Sequence, residues 1–380
     1  MRISETTPGE HPAQPTHTAE DNPFFSVEIL KAALDQLADA KVTTARVTAT
    51  DGRLVALAPI RPTRLGRLVP AISIWVHSLG PLGTPLLDTA TLEKAAAGLI
   101  AAMDGERPAR RILEFPYLPL EGHVANALRR QAAREQRPVA VLAAHQRAVL
   151  NRAGQDGNRF LDAIAPKKRK ELGRQLRRLH DLGAVTIEHV TEPAPLAAAL
   201  EDFFALEASG WKGKRGTALT LRPREKAFAK AAVASGDTTI HALRLDGRAV
   251  AMLVSFQSGA GAVTWKIAYD EAYARFSPGV QIMLEASTAL LADPTLERID
   301  SLAIAGHPMI DPLWPDRMSV GTLVIGPKGG GIGYEAGLSL ARLELVLRPI
   351  ARRFVRSVRK KAEVLKSRLR QSASAASPEG

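Results

Sequence analysis

The sequence predicts an α/β protein made of two tandem units, each a mixed, mostly antiparallel sheet flanked by helices, followed by a basic C-terminal helix. Three observations carry this. The run Thr50-Asp51-Gly52-Arg53-Leu54-Val55-Ala56-Leu57 recurs as Leu245-Asp246-Gly247-Arg248-Ala249-Val250-Ala251-Met252. Asp-Gly between alternating apolar runs is a strong hairpin signal, because both turn residues are asked to take positive φ. The elements after each hairpin also repeat in order: a Trp-bearing strand, a Gly/Pro loop, a helix, then a strand opened by Arg (Arg111 or Arg298). Finally, 380 residues exceed what one core usually holds.

The expected boundaries are a disordered polar segment over 1–21, a first and degenerate unit over 22–155, a second unit over 156–330, a basic amphipathic helix over 331–370 and a disordered tail over 371–380. In the first unit, Pro23 to Leu37 reads as a helix, Ala45–Thr50 and Leu54–Ile60 as the hairpin, Ile72 to His77 as a strand, Asp88 to Met103 as a helix, and Arg111–Phe115 and Val139–Ala143 as strands. In the second, Pro166 to Leu182, Pro195 to Ala208, Pro223 to Ala234 and Pro278 to Leu291 read as helices. The strands are Ala184–Val190, Thr238–Leu245, Ala249–Phe256, Gly261–Tyr269, Arg298–Ile304 and Val320–Gly326. Ser209 to Thr217 holds three glycines and reads as irregular.

The formal net charge is +12, yet it is not spread over a face. Arg342 to Arg370 contains eleven Lys or Arg against two Glu. Leu343, Val346, Leu347, Ile350, Phe354, Val358 and Leu365 fall opposite the cations at helical spacing, and Pro349 interrupts the run. A solvated helix packed on the second unit is the plainer expectation, and contact of 342–370 with an anionic membrane surface is the sharper one. Nucleic acid is disfavoured, since no binding motif is present. A second basic stretch, Lys167 to Lys170 with Arg174, Arg177 and Arg178, reads as a solvated helix with Leu172, Leu176 and Leu179 inward. The chain has no cysteine, which removes disulfides, thiolate nucleophiles and Cys-ligated zinc. No His/Asp/Glu spacing suggests a metal, no secretory leader is evident, and a cytoplasmic location, peripheral to the inner face of the membrane, is expected.

Chemistry is expected at Tyr269 to Gln281. Ser277 suits an N-cap, Pro278 a first helical position, and Gly279 a close approach. Bare amides at such a helix start suit a phosphate. The matching first-unit loop, Gly80 to Pro85, has two prolines where donors would be needed.

The block Asp246 to Ala251, then Trp265, Ala268-Tyr269-Asp270, Tyr273-Ala274 and Phe276-Ser277-Pro278-Gly279 resembles the GNAT-fold acyltransferases. It is nearest the subgroup associated with cellulose and exopolysaccharide biosynthesis, which is similar in layout to the Fem-type peptidoglycan aminoacyl transferases. Phe203 to Glu207 followed by Trp211-Lys212-Gly213 also looks like this subgroup. The resemblance implies an N- or O-acyltransferase moving an acyl group from acetyl-CoA or another acyl-CoA to an amino sugar or glycan precursor by direct attack. It implies a pantetheine arm added along the strand holding Ala251 and Leu253, and a pyrophosphate on Phe276, Ser277, Pro278, Gly279, Val280 and Gln281. The common phosphate loop of these enzymes carries more glycine than Arg275 to Gln281 does, so the cofactor stays open. The alternatives are an aminoacyl-tRNA donor or an inactive membrane-surface scaffold.

Direct attack needs a base and donors for the thioester oxygen. The candidates for the base are Glu207, Asp270, Asp300 and His307. Lys212, Lys214 and Arg215 would supply charge for an anionic substrate or the CoA 3′-phosphate.

Overall fold

In the computed structural model, residues 2–6, 15, 17–105, 109–152 and 159–348 are described. The first unit runs β1 (Arg2–Thr6), α1 (Val27–Gln36), β2 (Thr43–Thr48), β3 (Leu54–Leu65), β4 (Val69–Ile74), β5 (Leu86–Leu87), α2 (Leu92–Asp104), β6 (Ile112–Pro119), α3 (His123–Arg134) and β7 (Val139–Asn151). The second runs α4 (Arg159–Ala163), α5 (Pro166–His180), β8 (Val185–Val190), α6 (Pro193–Ser209), α7 (Trp211–Lys214), α8 (Pro223–Ser235), β9 (Asp237–Leu245), β10 (Arg248–Ser258), β11 (Gly261–Tyr269), α9 (Pro278–Ala292), β12 (Arg298–Asp300) and β13 (Asp316–Ile325). A last helix, α10, covers 332–348. The expected helix beyond residue 348 and the tail over 371–380 lie outside the described residues.

Proline opens α5, α6, α8 and α9, where its missing N–H costs nothing. The two Asp-Gly turns differ. Asp246 and Gly247 both take positive φ, +49° and +79°, as a two-residue hairpin requires. In the first hairpin only Gly52 does, at +87°. There Ala49 N–H bonds Arg53 O across a longer turn.

All strands but β5 lie along one continuous path, β1-β2-β3-β4-β6-β13-β7-β12-β11-β10-β9-β8. The units exchange their last strands. β13 of the second unit runs antiparallel to β6 of the first, with Ile325 opposite Leu113. β7 of the first runs antiparallel to β12 of the second, with Leu150 opposite Ile299. β13 and β7 then pair with each other along their length.

One apolar core belongs to both units, joining Phe24, Leu57, Leu99 and Leu128 to Phe203, Phe228, Phe256 and Trp265. A second lies under α5 and α9, around Phe160, Leu253, Ile282 and Trp314. A third, with Leu65, Ile112, Val324, Tyr334 and Leu338, seats α10 on the sheet.

Four expectations are corrected. Residues 2–6 form a strand against β2, where disorder was expected, because the exposed edge of β2 offers a ladder. α3 was not anticipated. The strand from Arg298 stops at Asp300, since the Asp300 carboxylate accepts Leu302 N–H (2.7 Å) and Ser301 Oγ accepts Ala303 N–H (3.1 Å), drawing the chain out of the ladder. The Gly-rich break over 209–217 contains a helical turn, α7, whose Gly213 packs where any Cβ would collide with Ala208 O.

Candidate active site

The site begins where two parallel strands part. β11 and β12 pair only from Gly261 to Val263 and from Arg298 to Asp300. β11 then continues to Tyr269 with β10 on one side and, among the described residues, no strand on the other. A bulge between Val254 and Ser255 of β10 leaves Trp265 as the extra residue. Bulges of this kind re-aim side chains and backbone beside active sites. Asp270 N–H bonds Val250 O, so the alternate residues Ile267 and Tyr269 turn their backbone groups toward the open side. The sheet therefore has a V-shaped gap whose apex is Val263 and Asp300 and whose polar wall is 264–269.

This corrects one assignment. Ala251 and Leu253 were expected on an exposed edge, but β10 is paired on both sides, to β9 and β11, and both residues are fully buried. The open edge is one strand over.

The turn before α9 also differs from expectation. Ser277 sits in the left-handed region at φ 52° and makes no side-chain cap. Its carbonyl instead accepts the N–H groups of Val280 (2.9 Å) and Gln281 (3.1 Å). Pro278 has no N–H, so only the Gly279 amide is left without a partner among the described residues. The Tyr269 ring lies against Gly279, 3.1 Å from where a Cβ would stand. Phe276, Pro278 and Gln281 are buried, and Gln281 Nε2 donates to Leu172 O of α5. A multi-amide phosphate cradle over Phe276 to Gln281 is thus not formed. α5 packs beside this turn, and Lys167, Lys168, Lys170 and Arg174 on it are exposed.

The four candidate bases are held in four different bonds. Glu207, 2% exposed, accepts from Lys212 Nζ (2.9 Å) and Leu219 N–H (2.8 Å), so it braces the 211–219 loop. Asp270 accepts from Arg248 (2.7 Å) and caps the following turn through Ala272 N–H. Asp300 is buried against Arg147 of β7 (3.1 Å), whose other amino group donates to Pro81 O. His307 Nδ1 accepts Ile310 N–H at 3.4 Å in a loop.

What the sequence reading missed is Lys266, on the wall itself; Lys212, which it named, reaches the same wall. Lys212 Nζ donates to Ile267 O (2.9 Å) as well as to Glu207. Lys266, beside the bulge, is partly buried and makes no salt bridge among the described residues. Burial, and secondarily the Lys212 charge, lowers its pKa below the ordinary lysine value. A charged residue between Trp265 and Ile267, in a strand with no other charge, was the available clue. Lys214 pairs with Glu271 (2.5 Å), and Arg215 stacks over Trp211 (5.2 Å).

A cleft of about 1060 Å³ lies between the units and reaches the apex at Val263 and Asp300. Its walls include Glu20, Glu121, His123, Glu297, Arg298 and Ser319. Glu20 sits at the start of α3, where any Cβ on Gly122 would strike its carboxylate. Burial pushes the Glu20 carboxyl up to about 7 despite the His123 and Val124 amides, and its Oε2 has no partner.

The first unit has the same parting of strands. β4 and β6 are parallel from Ala71 to Ser73 and from Ile112 to Glu114. There the gap is filled by residues 79–85. Gly83 N–H bonds Tyr117 O (3.2 Å), and a Cβ at Gly83 would collide with Pro116 O. Asn22 Nδ2 bonds Leu82 O and Thr84 O, and Trp265 Nε1 bonds Leu79 O (2.6 Å).

Among the described residues, no three His, Asp or Glu cluster so as to hold a metal ion, and no helix is long and apolar enough to cross a membrane.

Residues 166–307 match the family model of the acetyltransferase (GNAT) domain. The chain therefore carries a GNAT acetyltransferase domain and is a transferase. Two solved structures share its overall fold. A C-terminal domain from Agrobacterium fabrum, described as that of a lysylphosphatidylglycerol synthetase, is 12% identical, with TM-score 0.53, covering 87% of this chain and 93% of that one. FemX is 10% identical, with TM-score 0.56, covering 85% of this chain and 97% of that one. No curated protein matches the chain.

Proposed function

We propose that the chain transfers an acyl group from an acyl-CoA to an amine or hydroxyl on an amino sugar or glycan precursor, with the second unit holding the donor and the cleft between the units admitting the acceptor. The observation that carries this is the unfilled V between β11 and β12. Its open edge offers the Ile267 N–H and the Tyr269 backbone groups, with Ile267 O held by Lys212, to an amide-containing arm, which can add to the edge like a strand. The thioester would then reach the apex at Val263 and Asp300, where the cleft arrives. The acceptor attacks the thioester carbon, the C–S bond breaks, and the acceptor proton passes to a base. Lys266, on this wall without an ion partner, is our candidate for that base. Glu207 positions Lys212, and Asp300 fixes the apex.

A second reading rests on the turn at Ser277 to Gln281. With one free amide it offers little to a diphosphate, while the exposed cations of α5 stand beside it. That combination also suits an aminoacyl-tRNA, a larger polyanion.

Thermal unfolding with acyl-CoAs of graded chain length tests the first reading. A ligand present at about 100 times its Kd stabilises the native state by about 2.7 kcal/mol, a readable rise in Tm. No rise with any acyl-CoA, together with a salt-sensitive rise with aminoacyl-tRNA, would establish the second reading instead.

A further inference from the structure

The described part of α10 has two apolar stripes, and only one is used. Tyr334 and Leu338 are buried against β3, β6 and β13, with Leu345 packed beside them. Leu343, Val346 and Leu347, three and four residues apart, point away and are 53%, 63% and 48% exposed. Leu68, in the turn between β3 and β4 on which α10 rests, is 63% exposed. A Cβ on Gly66 of this turn would touch Gly337 O and Leu340, so turn and helix form one surface.

Cations outnumber acids beside this patch, with Arg64, Arg67, Arg342 and Arg348 exposed around Leu68 and the end of α10. Arg67 and Arg348 both bond Glu344 Oε1, at 2.7 and 2.8 Å, which neutralises the acid. The sequence beyond keeps the pattern: Ile350, Phe354 and Val358 continue the apolar spacing, and Arg342 to Arg370 carries eleven cations against two Glu.

We propose that this surface, Leu68 with the outer stripe of α10, docks on the face of an anionic phospholipid bilayer. Charge complementarity selects the anionic headgroups. A nucleic acid would use the cations and leave the apolar stripe in water. A bilayer surface takes both, since the stripe enters the acyl boundary while the cations stay among headgroups. The inference does not depend on the acyl-transfer reading.

The test is co-sedimentation of the full chain with vesicles of phosphatidylglycerol and phosphatidylcholine, against phosphatidylcholine alone, at low and high salt. The expected result is binding to the anionic vesicles alone, reduced by salt, and weakened at least tenfold by the triple change Leu343→Glu, Val346→Glu, Leu347→Glu. Those side chains are exposed, so Tm should stay unchanged, which separates lost docking from lost folding. Binding that the triple variant retains in full would make the patch a generic polyanion site and overturn the proposal. Equal binding to neutral vesicles, or concentration-dependent self-association that the variant abolishes without any vesicle binding, would overturn it too.

Discussion

The two units contain the same gap between parallel strands, and they treat it oppositely. In the first, residues 79–85 enter the space between β4 and β6 and are pinned from both units, by Asn22, Tyr117 and Arg147 of the first and by Trp265 of the second. In the second, β12 breaks off at Asp300, and among the described residues no strand replaces it along 264–269; Thr264 Oγ1 reaches Ser301 O (3.4 Å) next to the apex and the Lys212 ammonium sits on Ile267 O. A filled gap is a structural joint, and an unfilled one is a place for a ligand. Duplication of a fold therefore does not duplicate its chemistry.

The comparison can be broken at its joint first. Arg147→Met should cost about 3–5 kcal/mol in urea unfolding, because it leaves the buried Asp300 carboxylate without its cation. A loss below about 1 kcal/mol would mean that the seam is held elsewhere. Gly83→Ala tests the plug directly. With Pro116 O in the way, the loop must shift, at about 1–3 kcal/mol, and amide exchange over 79–85 should quicken while the second unit's edge is unaffected.

The joint should also be acid-sensitive. His77 packs among Phe24, Trp75 and Phe228, its two ring nitrogens have no partner, and burial lowers its pKa from 6.5 to about 4. The unfolded chain takes up that proton near 6.5 and the folded chain only near 4. The His77 share of stability is thus whole above pH 6.5 and is lost as pH falls toward 4. His241, lowered to about 3, acts in the same direction. Glu20 and Glu114, raised by burial to about 7, oppose it between 4.5 and 7. The measurement is therefore the difference between wild type and His77→Phe, which should widen in the variant's favour as pH drops from 6.5 to 4. A pH-independent difference would place His77 outside the joint.

The smallest effect on stability should come from the open gap. Lys266→Met should destabilise the fold by no more than about 0.5 kcal/mol, as it breaks no salt bridge and removes a charge that burial disfavours. Transfer should fall at least tenfold, with the pH profile altered. Unchanged turnover would remove Lys266 from the reaction.

The hairpins, the four Pro-opened helices and the repeat were legible because each is written in a few adjacent residues. The exchange of β7 and β13 was not, since nothing in Val139 to Asn151 names a partner some 150 residues away. Sequence placed the chemistry after β11, next to the strand edge that the structure leaves open. It could not show that β10 is interior, because Ala251 and Leu253 read the same on an edge strand as on a central one. Nor could it show that Ser277 would turn its carbonyl inward and spend two amides, an outcome of its left-handed backbone and not of its side chain. The four acidic or imidazole candidates were picked by residue type. Each proved to be engaged by a partner that spacing does not reveal.

Because β13 is wedged between β6 and β7, a ribosome must deliver residue 325 before the opening half of the polypeptide can complete its hydrogen bonding. A fragment ending at residue 155 would leave one border of β6 and both borders of β7 unpaired and invite aggregation. The halves cannot be shuffled, swapped or expressed apart as ordinary duplicated modules can, and they have to mature as a single cooperative body.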